Sequence, residues 1–289
     1  MSKFLTKIKI IFITIILALL NIEYIYIFYL EYNNTTSFNI RKYYLNNPNV
    51  TNILITNGNM LNNSDKIPVI TYHMIISDYE KNLKKNVKDT LSVSKSTFSK
   101  QMKWLYERGY KTLNCQELYL WHQKKIELPK KSLLITFDGA SIGQAKYAIP
   151  VLKKYNMKGV TFVLGKHAYR NKKGKINYNT MNKLKQLYPN FDFQSHTYDL
   201  HIKINKNDYK LAIKDAAIQK KYFNFTFLAY PYGIYTSGMI KAYKKSGIKM
   251  AFTYGINDYA TRNQDIYKIR RIKVNGRESF SDFTKWFKD

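Results

Sequence analysis

From residue 67 onward, short apolar runs alternate with stretches in which apolar residues recur at helical spacing. Ile67-Pro68-Val69-Ile70-Thr71-Tyr72-His73 predicts a short buried strand, and residues 97–108 place Phe98, Met102, Trp104 and Leu105 on one helical face. Asn114 can cap a helix running through Glu117, Leu118, Leu120 and Trp121. Ser132-Leu133-Leu134-Ile135-Thr136-Phe137-Asp138 then reads as a buried strand ending in a carboxylate. The alternation continues with helix 144–155, strand 159–164, helix 180–187, strand 191–195, helix 207–222, strand 225–230 and helix 237–246. Strands 250–254 and 269–274 and a closing helix 279–287 complete it. Strands separated by helices imply parallel pairing through right-handed crossovers, hence a doubly wound α/β sheet or a barrel. In both architectures the site lies at the carboxyl ends of the strands.

Upstream the pattern differs. Lys3, Lys7 and Lys9 precede an apolar run over 10–20, and the apolar character resumes through Ile22 and Tyr24 to Leu30. A basic flank before such a run reads as an export segment, long enough to span a bilayer, with no clear small-x-small cleavage site after it. Residues 1–30 are therefore expected to be a signal-anchor or a cleaved signal peptide. Residues 31–66 are Asn-rich, contain the turn signal Asn47-Pro48-Asn49, and read as a linker to a domain over 67–289. The domain is accordingly expected outside the cytoplasm, anchored to the membrane or secreted.

The chain is long enough to bury a sizeable core. Its formal charge of +29, from 48 Lys+Arg against 19 Asp+Glu, favours an anionic membrane or cell-wall surface as surroundings. No compact Lys/Arg block or RNA-binding signature accompanies that charge, so nucleic acid is not an expected partner. The single cysteine, Cys115, excludes an internal disulfide and a cysteine-based metal site.

Four predicted strand ends carry chemistry: Tyr72-His73, Asp138, Ser195-His196 and Ala229-Tyr230-Pro231-Tyr232-Gly233. His196 and His201 are five apart, whereas helical neighbours sit three or four apart, and a straight strand would put the pair on opposite faces. Only a loop lets them share a ligand.

These motifs resemble the polysaccharide deacetylases with a NodB-homology domain, carbohydrate esterase family 4, over about residues 67–275. The five-residue histidine spacing and the early Tyr-His segment look closest to the branch that deacetylates poly-N-acetylglucosamine in biofilms. The resemblance implies a distorted (β/α)7-type barrel and hydrolysis of the acetamide on N-acetylglucosamine units of a polysaccharide. It implies Asp138 as catalytic base, His73 as general acid, His196 and His201 as ligands of a divalent metal (Zn, Fe, Co or Ni), and Tyr230, Pro231 and Tyr232 as groove wall. The family's metal-binding second aspartate is Gly139 in this chain. The two histidines with water could hold a metal weakly, or another carboxylate such as Asp199 or Asp192 could complete the metal shell. The alternative is a catalytically degenerate relative that binds glycan without cutting it.

Overall fold

A computed structural model describes residues 64–83, 88–202 and 209–287 of the chain. The expected export segment and nearly all of the linker lie outside these residues, and among the described residues no helix is long and apolar enough to cross a membrane.

The strands in chain order are β1 (Lys66–Ile67), β2 (Val69–Tyr72), β3 (Met74–Ile76), β4 (Ser92–Ser94), β5 (Lys111–Leu113) and β6 (Ser132–Asp138). They continue with β7 (Gly159–Val163), β8 (Phe191–Ser195), β9 (Phe227–Ala229), β10 (Met250–Phe252), β11 (Ala260–Thr261) and β12 (Ile272–Lys273). The main sheet has eight strands in the order β10-β9-β8-β7-β6-β2-β12, with β5 paired off that path to β6, and all its pairings are parallel. The expected strand 269–274 divides. Ile269 exchanges hydrogen bonds with the Ala251 and Thr253 backbone beside β10, while Ile272 and Lys273 pair with β2. One segment thus joins both outer strands and holds the sheet curled. The parallel, helix-flanked α/β architecture agrees with the sequence reading.

Period-two alternation sorts the strand residues. Along β6, Leu133, Ile135 and Phe137 belong to the main apolar cluster with Ile70, Tyr72, Phe98, Met102 and Phe191. Thr136 and Asp138 point to the other face, where Thr136 bonds the Thr71 hydroxyl at 2.9 Å. That face is polar toward the carboxyl end of the strand, with Leu134 buried deeper on it, and the opposite, apolar face packs against helices.

Those helices begin where side chains satisfy their free N–H groups. Ser94 caps Lys95–Glu107, Asn177 caps Tyr178–Leu187 and Thr236 caps Ser237–Lys245. The expected helix 144–155 starts instead as a π-helical turn, Gln144–Ala148, before Ile149–Lys154. Two small pairings were not legible from periodicity, β3 with β4 and β1 with β11, because strands of two or three residues carry too little alternation to detect.

At the opposite end of the strands from Asp138, Asn114 and Glu117 form a capping box, and the Glu117 carboxylate also takes two bonds from the Lys158 ammonium at 2.8 and 2.9 Å. Both side chains are buried. Removing one partner of a buried ion pair typically costs about 3–5 kcal/mol. Glu117→Ala is expected to lower the free energy of urea unfolding by about that amount, and a loss under about 1 kcal/mol would contradict a structural role for the pair.

Candidate active site

Asp138 closes β6, and the curl of the sheet brings Arg271, just before β12, to it from across the interior. Arg271 is fully buried, and its guanidinium grips the carboxylate in a fork, Nη1 donating to Oδ1 at 2.8 Å and Nη2 to Oδ2 at 2.9 Å. Its Nε donates to the Thr253 carbonyl at 2.8 Å. Burial opposes ionisation of Asp138, yet the guanidinium overrides it and, with His196 and His73, holds the carboxyl well below the usual carboxylate range. Each carboxylate oxygen keeps a lone pair free for a further donor.

His73 follows β2, the strand beside β6. Gln144 fixes the two strand ends together: its amide donates to the His73 carbonyl at 2.6 Å and the Asp138 carbonyl at 3.2 Å, and its own carbonyl accepts from Thr161 at 2.7 Å. The His73 ring meets Tyr254 edge-on, with centroids 5.3 Å apart. Burial lowers the His73 pKa, partly offset by the nearby Asp138 carboxylate. His73 Nδ1 and the Tyr254 hydroxyl are both buried without a hydrogen-bond partner in the structure. Two orphaned polar atoms beside an ionised carboxylate are what a polar ligand would satisfy.

The histidine pair converges through a loop after β8. Thr197 takes a left-handed φ of 68°, turning the chain, and its hydroxyl accepts from Leu200 N–H at 3.0 Å. Buried Asp215 clamps the loop, accepting from Tyr198 N–H at 2.8 Å, Asp199 N–H at 2.7 Å and the Tyr243 hydroxyl at 2.7 Å. As a result the His196 and His201 rings stand 5.5 Å apart. Burial pushes the His196 pKa down to about 4, so the ring is neutral at pH 7. Its Nδ1 lies 2.8 Å from the Ala229 carbonyl, which can only accept, so Nε2 carries the free lone pair. His201 Nδ1 meets the Tyr232 hydroxyl at 3.1 Å.

The expected groove wall needs correcting. Tyr230 is 0% exposed and packs with Leu228, Met239, Tyr243 and Ala251 in a second apolar cluster, and Pro231 is buried as well. Neither can face a sugar. The pleat turns Tyr230 toward the helix layer, so only Tyr232, 48% exposed and at φ 59°, stands at the rim.

The donor set does not fit a three-residue metal centre. His196 and His201 offer two imidazole nitrogens, and Asp138, each of whose oxygens already takes one bond from Arg271, would lose its remaining basicity on binding a metal. Asp199 pairs with Lys166, and Asp192 accepts from the Phe193 N–H and the Gln194 amide. Among the described residues no three His, Cys, Asp or Glu side chains are placed to hold a metal ion. Sequence reasoning missed Arg271, Gln144, Asp215 and Tyr254. Arg271 carried a signal, a charge inside a run otherwise read as a buried strand. The other three lie in ordinary helical or strand-end contexts.

Residues 125–251 match the family model for polysaccharide deacetylase. The chain is 32% identical over 225 residues to YxkH of Bacillus subtilis, a relative named for polysaccharide deacetylase, covering 75% of each chain. It is also 32% identical over 199 residues to the poly-beta-1,6-N-acetyl-D-glucosamine N-deacetylase of Staphylococcus aureus, covering 64% of this chain and 68% of that one. Among solved structures, the Streptococcus pyogenes deacetylase PplD superimposes with a TM-score of 0.67 at 22% identity, covering 78% of this chain and 99% of PplD. IcaB from Ammonifex degensii gives 0.62 at 23% identity, covering 73% and 93%, and both likenesses speak to the fold. A curled parallel sheet with a carboxylate and three histidines at its rim, together with these two relatives, settles the classification: the chain belongs to the polysaccharide deacetylase family.

Proposed function

We propose that this chain hydrolyses the acetamide of N-acetylglucosamine units in a polysaccharide, releasing acetate and leaving the glucosamine amine. The observation that carries the reading is the ionised, buried Asp138 facing the unpartnered His73 Nδ1 and Tyr254 hydroxyl. The similarity to a poly-beta-1,6-N-acetyl-D-glucosamine N-deacetylase supports that polymer as substrate, and the enzyme names of the relatives favour catalysis over a glycan-binding role. The polymer and the formal charge of +29 suit a position outside the cytoplasm against an anionic envelope, held there by residues 1–30 or secreted.

The residues divide the work as follows. Asp138 accepts the proton of the attacking water as the oxygen bonds to the acetyl carbon. Arg271 keeps the carboxylate ionised and fixes its direction, at the cost of lowered basicity, so proton transfer accompanies attack rather than preceding it. His73 then gives a proton to the departing nitrogen as the carbon–nitrogen bond breaks, and the proton on Asp138 is returned to solvent. Tyr232 lies beside His201, where an aromatic face can stack on a sugar ring. Tyr254 can donate its unsatisfied hydroxyl to the polymer.

Acetate release from N-acetylglucosamine oligomers tests this directly. Asp138→Asn and His73→Gln are each expected to cut turnover by about 10²–10⁴-fold with the fold retained, the usual range for loss of a positioned acid or base. Turnover of either variant within threefold of the parent would remove that residue from the mechanism.

The pH profile follows from the same assignments. Asp138 stays ionised across the working range, while His73, its pKa lowered from about 6.5, must carry a proton to act as acid. Turnover should therefore rise as pH falls from about 8 to about 6. A rate that climbs continuously from about 6 to 8 would assign His73 a different role.

A further inference from the structure

Gly139 leaves the metal-ligand position of the family without a side chain, and the space beside it is taken. A Cβ built on Gly139 would stand 3.4 Å from the Lys175 Nζ. That placement is enforced by the backbone. Directly after Asp138 the chain pairs with the Lys175 segment: Ile142 N–H donates to the Gly174 carbonyl at 2.9 Å, Ile176 N–H donates to the Ala140 carbonyl at 2.8 Å, and Ser141 bridges Lys175 in antiparallel fashion. The short ladder delivers a half-buried lysine to the rim.

The charge there is unbalanced. Among the described residues Lys175 has no carboxylate within ion-pair distance, whereas Lys166, Arg262, Arg270 and Arg271 all do. Burial and the proximity of Lys172 lower the pKa of Lys175, a strain that a bound anion would relieve. A partly desolvated cation beside Gly139, the residue that follows the base, with no carboxylate paired to it, is arranged for an anion that comes and goes.

Resting on the acetamide reading above, we propose that Lys175 is a catalytic residue of this chain, its ammonium binding the acetyl carbonyl oxygen and then the acetate product. In the addition step water oxygen bonds to the acetyl carbon, its proton passes to Asp138, and the carbonyl π electrons move to oxygen, where the Lys175 ammonium faces them without giving up a proton. In the collapse step those electrons re-form the carbonyl, the carbon–nitrogen bond breaks, and His73 protonates the amine. A fixed cation at a developing oxyanion is worth far more in a shielded site than in water.

The test combines turnover with binding of sodium acetate, followed by NMR shift titration of the purified chain, for the parent, Lys175→Met and Lys175→Arg. Circular dichroism establishes that each variant folds. Lys175→Met is expected to lower turnover about 10²–10³-fold with KM changed far less, the loss typical of one oxyanion donor, and to weaken acetate binding at least tenfold. Lys175→Arg should recover part of both. If the parent proves inactive on every N-acetylglucosamine oligomer, the function fails, but a Lys175-dependent acetate affinity still upholds the anion site. The inference is overturned if Lys175→Met stays within threefold of the parent in acetate affinity, or if the parent binds no acetate.

Discussion

The forked ion pair between Asp138 and Arg271 is the contact on which the site depends. A lone carboxylate buried at the end of β6 would shed its charge by taking up a proton, since a desolvated anion is among the costliest groups a fold can hold. The guanidinium prevents this, and it can do so only because the sheet curls. The segment that carries Arg271 is anchored to β10 at Ile269 and to β2 at Ile272, which points the side chain into the concave interior. Fold closure and ionisation of the base are one arrangement.

Around that pair the rim is built by small polar ties rather than by apolar packing. Gln144 reads the carbonyls of two adjacent strand ends, and the π-helical turn that begins with it sets its amide where both can be reached. Asp215 holds the histidine loop through backbone N–H groups, which sets the His196 and His201 rings side by side, edge to face. The apolar clusters lie beneath this layer, so the chemistry sits on a polar storey above a conventional core.

Much of this was legible in the sequence. The buried run ending in Asp138, the strand 191–195 and the helix starts at Asn114 and Thr236 carry strong local signals, apolar runs and capping side chains, which tertiary context did not override. Spacing said only that a loop would be needed for His196 and His201 to converge; the convergence itself comes from the turn at Thr197 and the Asp215 clamp. What sequence could not supply were the partners contributed by distant segments. Nothing local to Arg271 says that it meets Asp138 across 133 residues, and nothing local to Lys175 says that it fills the space beside Gly139. Tyr230 was misread for a related reason: at a strand end, one step of the pleat decides between rim and core, and a motif does not reveal which way the step falls. Gly139 and Lys175 belong to separate segments, and only the fold sets the ammonium beside the position that has no side chain.

The account stands on Asp138 being ionised because Arg271 grips it. Carbon-13 NMR titration of the Asp138 carboxyl in the folded chain measures this directly. The account predicts that its shift stays that of a carboxylate from pH 7 down to about pH 3, below the ordinary aspartate value of about 4. A midpoint at or above that ordinary value would contradict it.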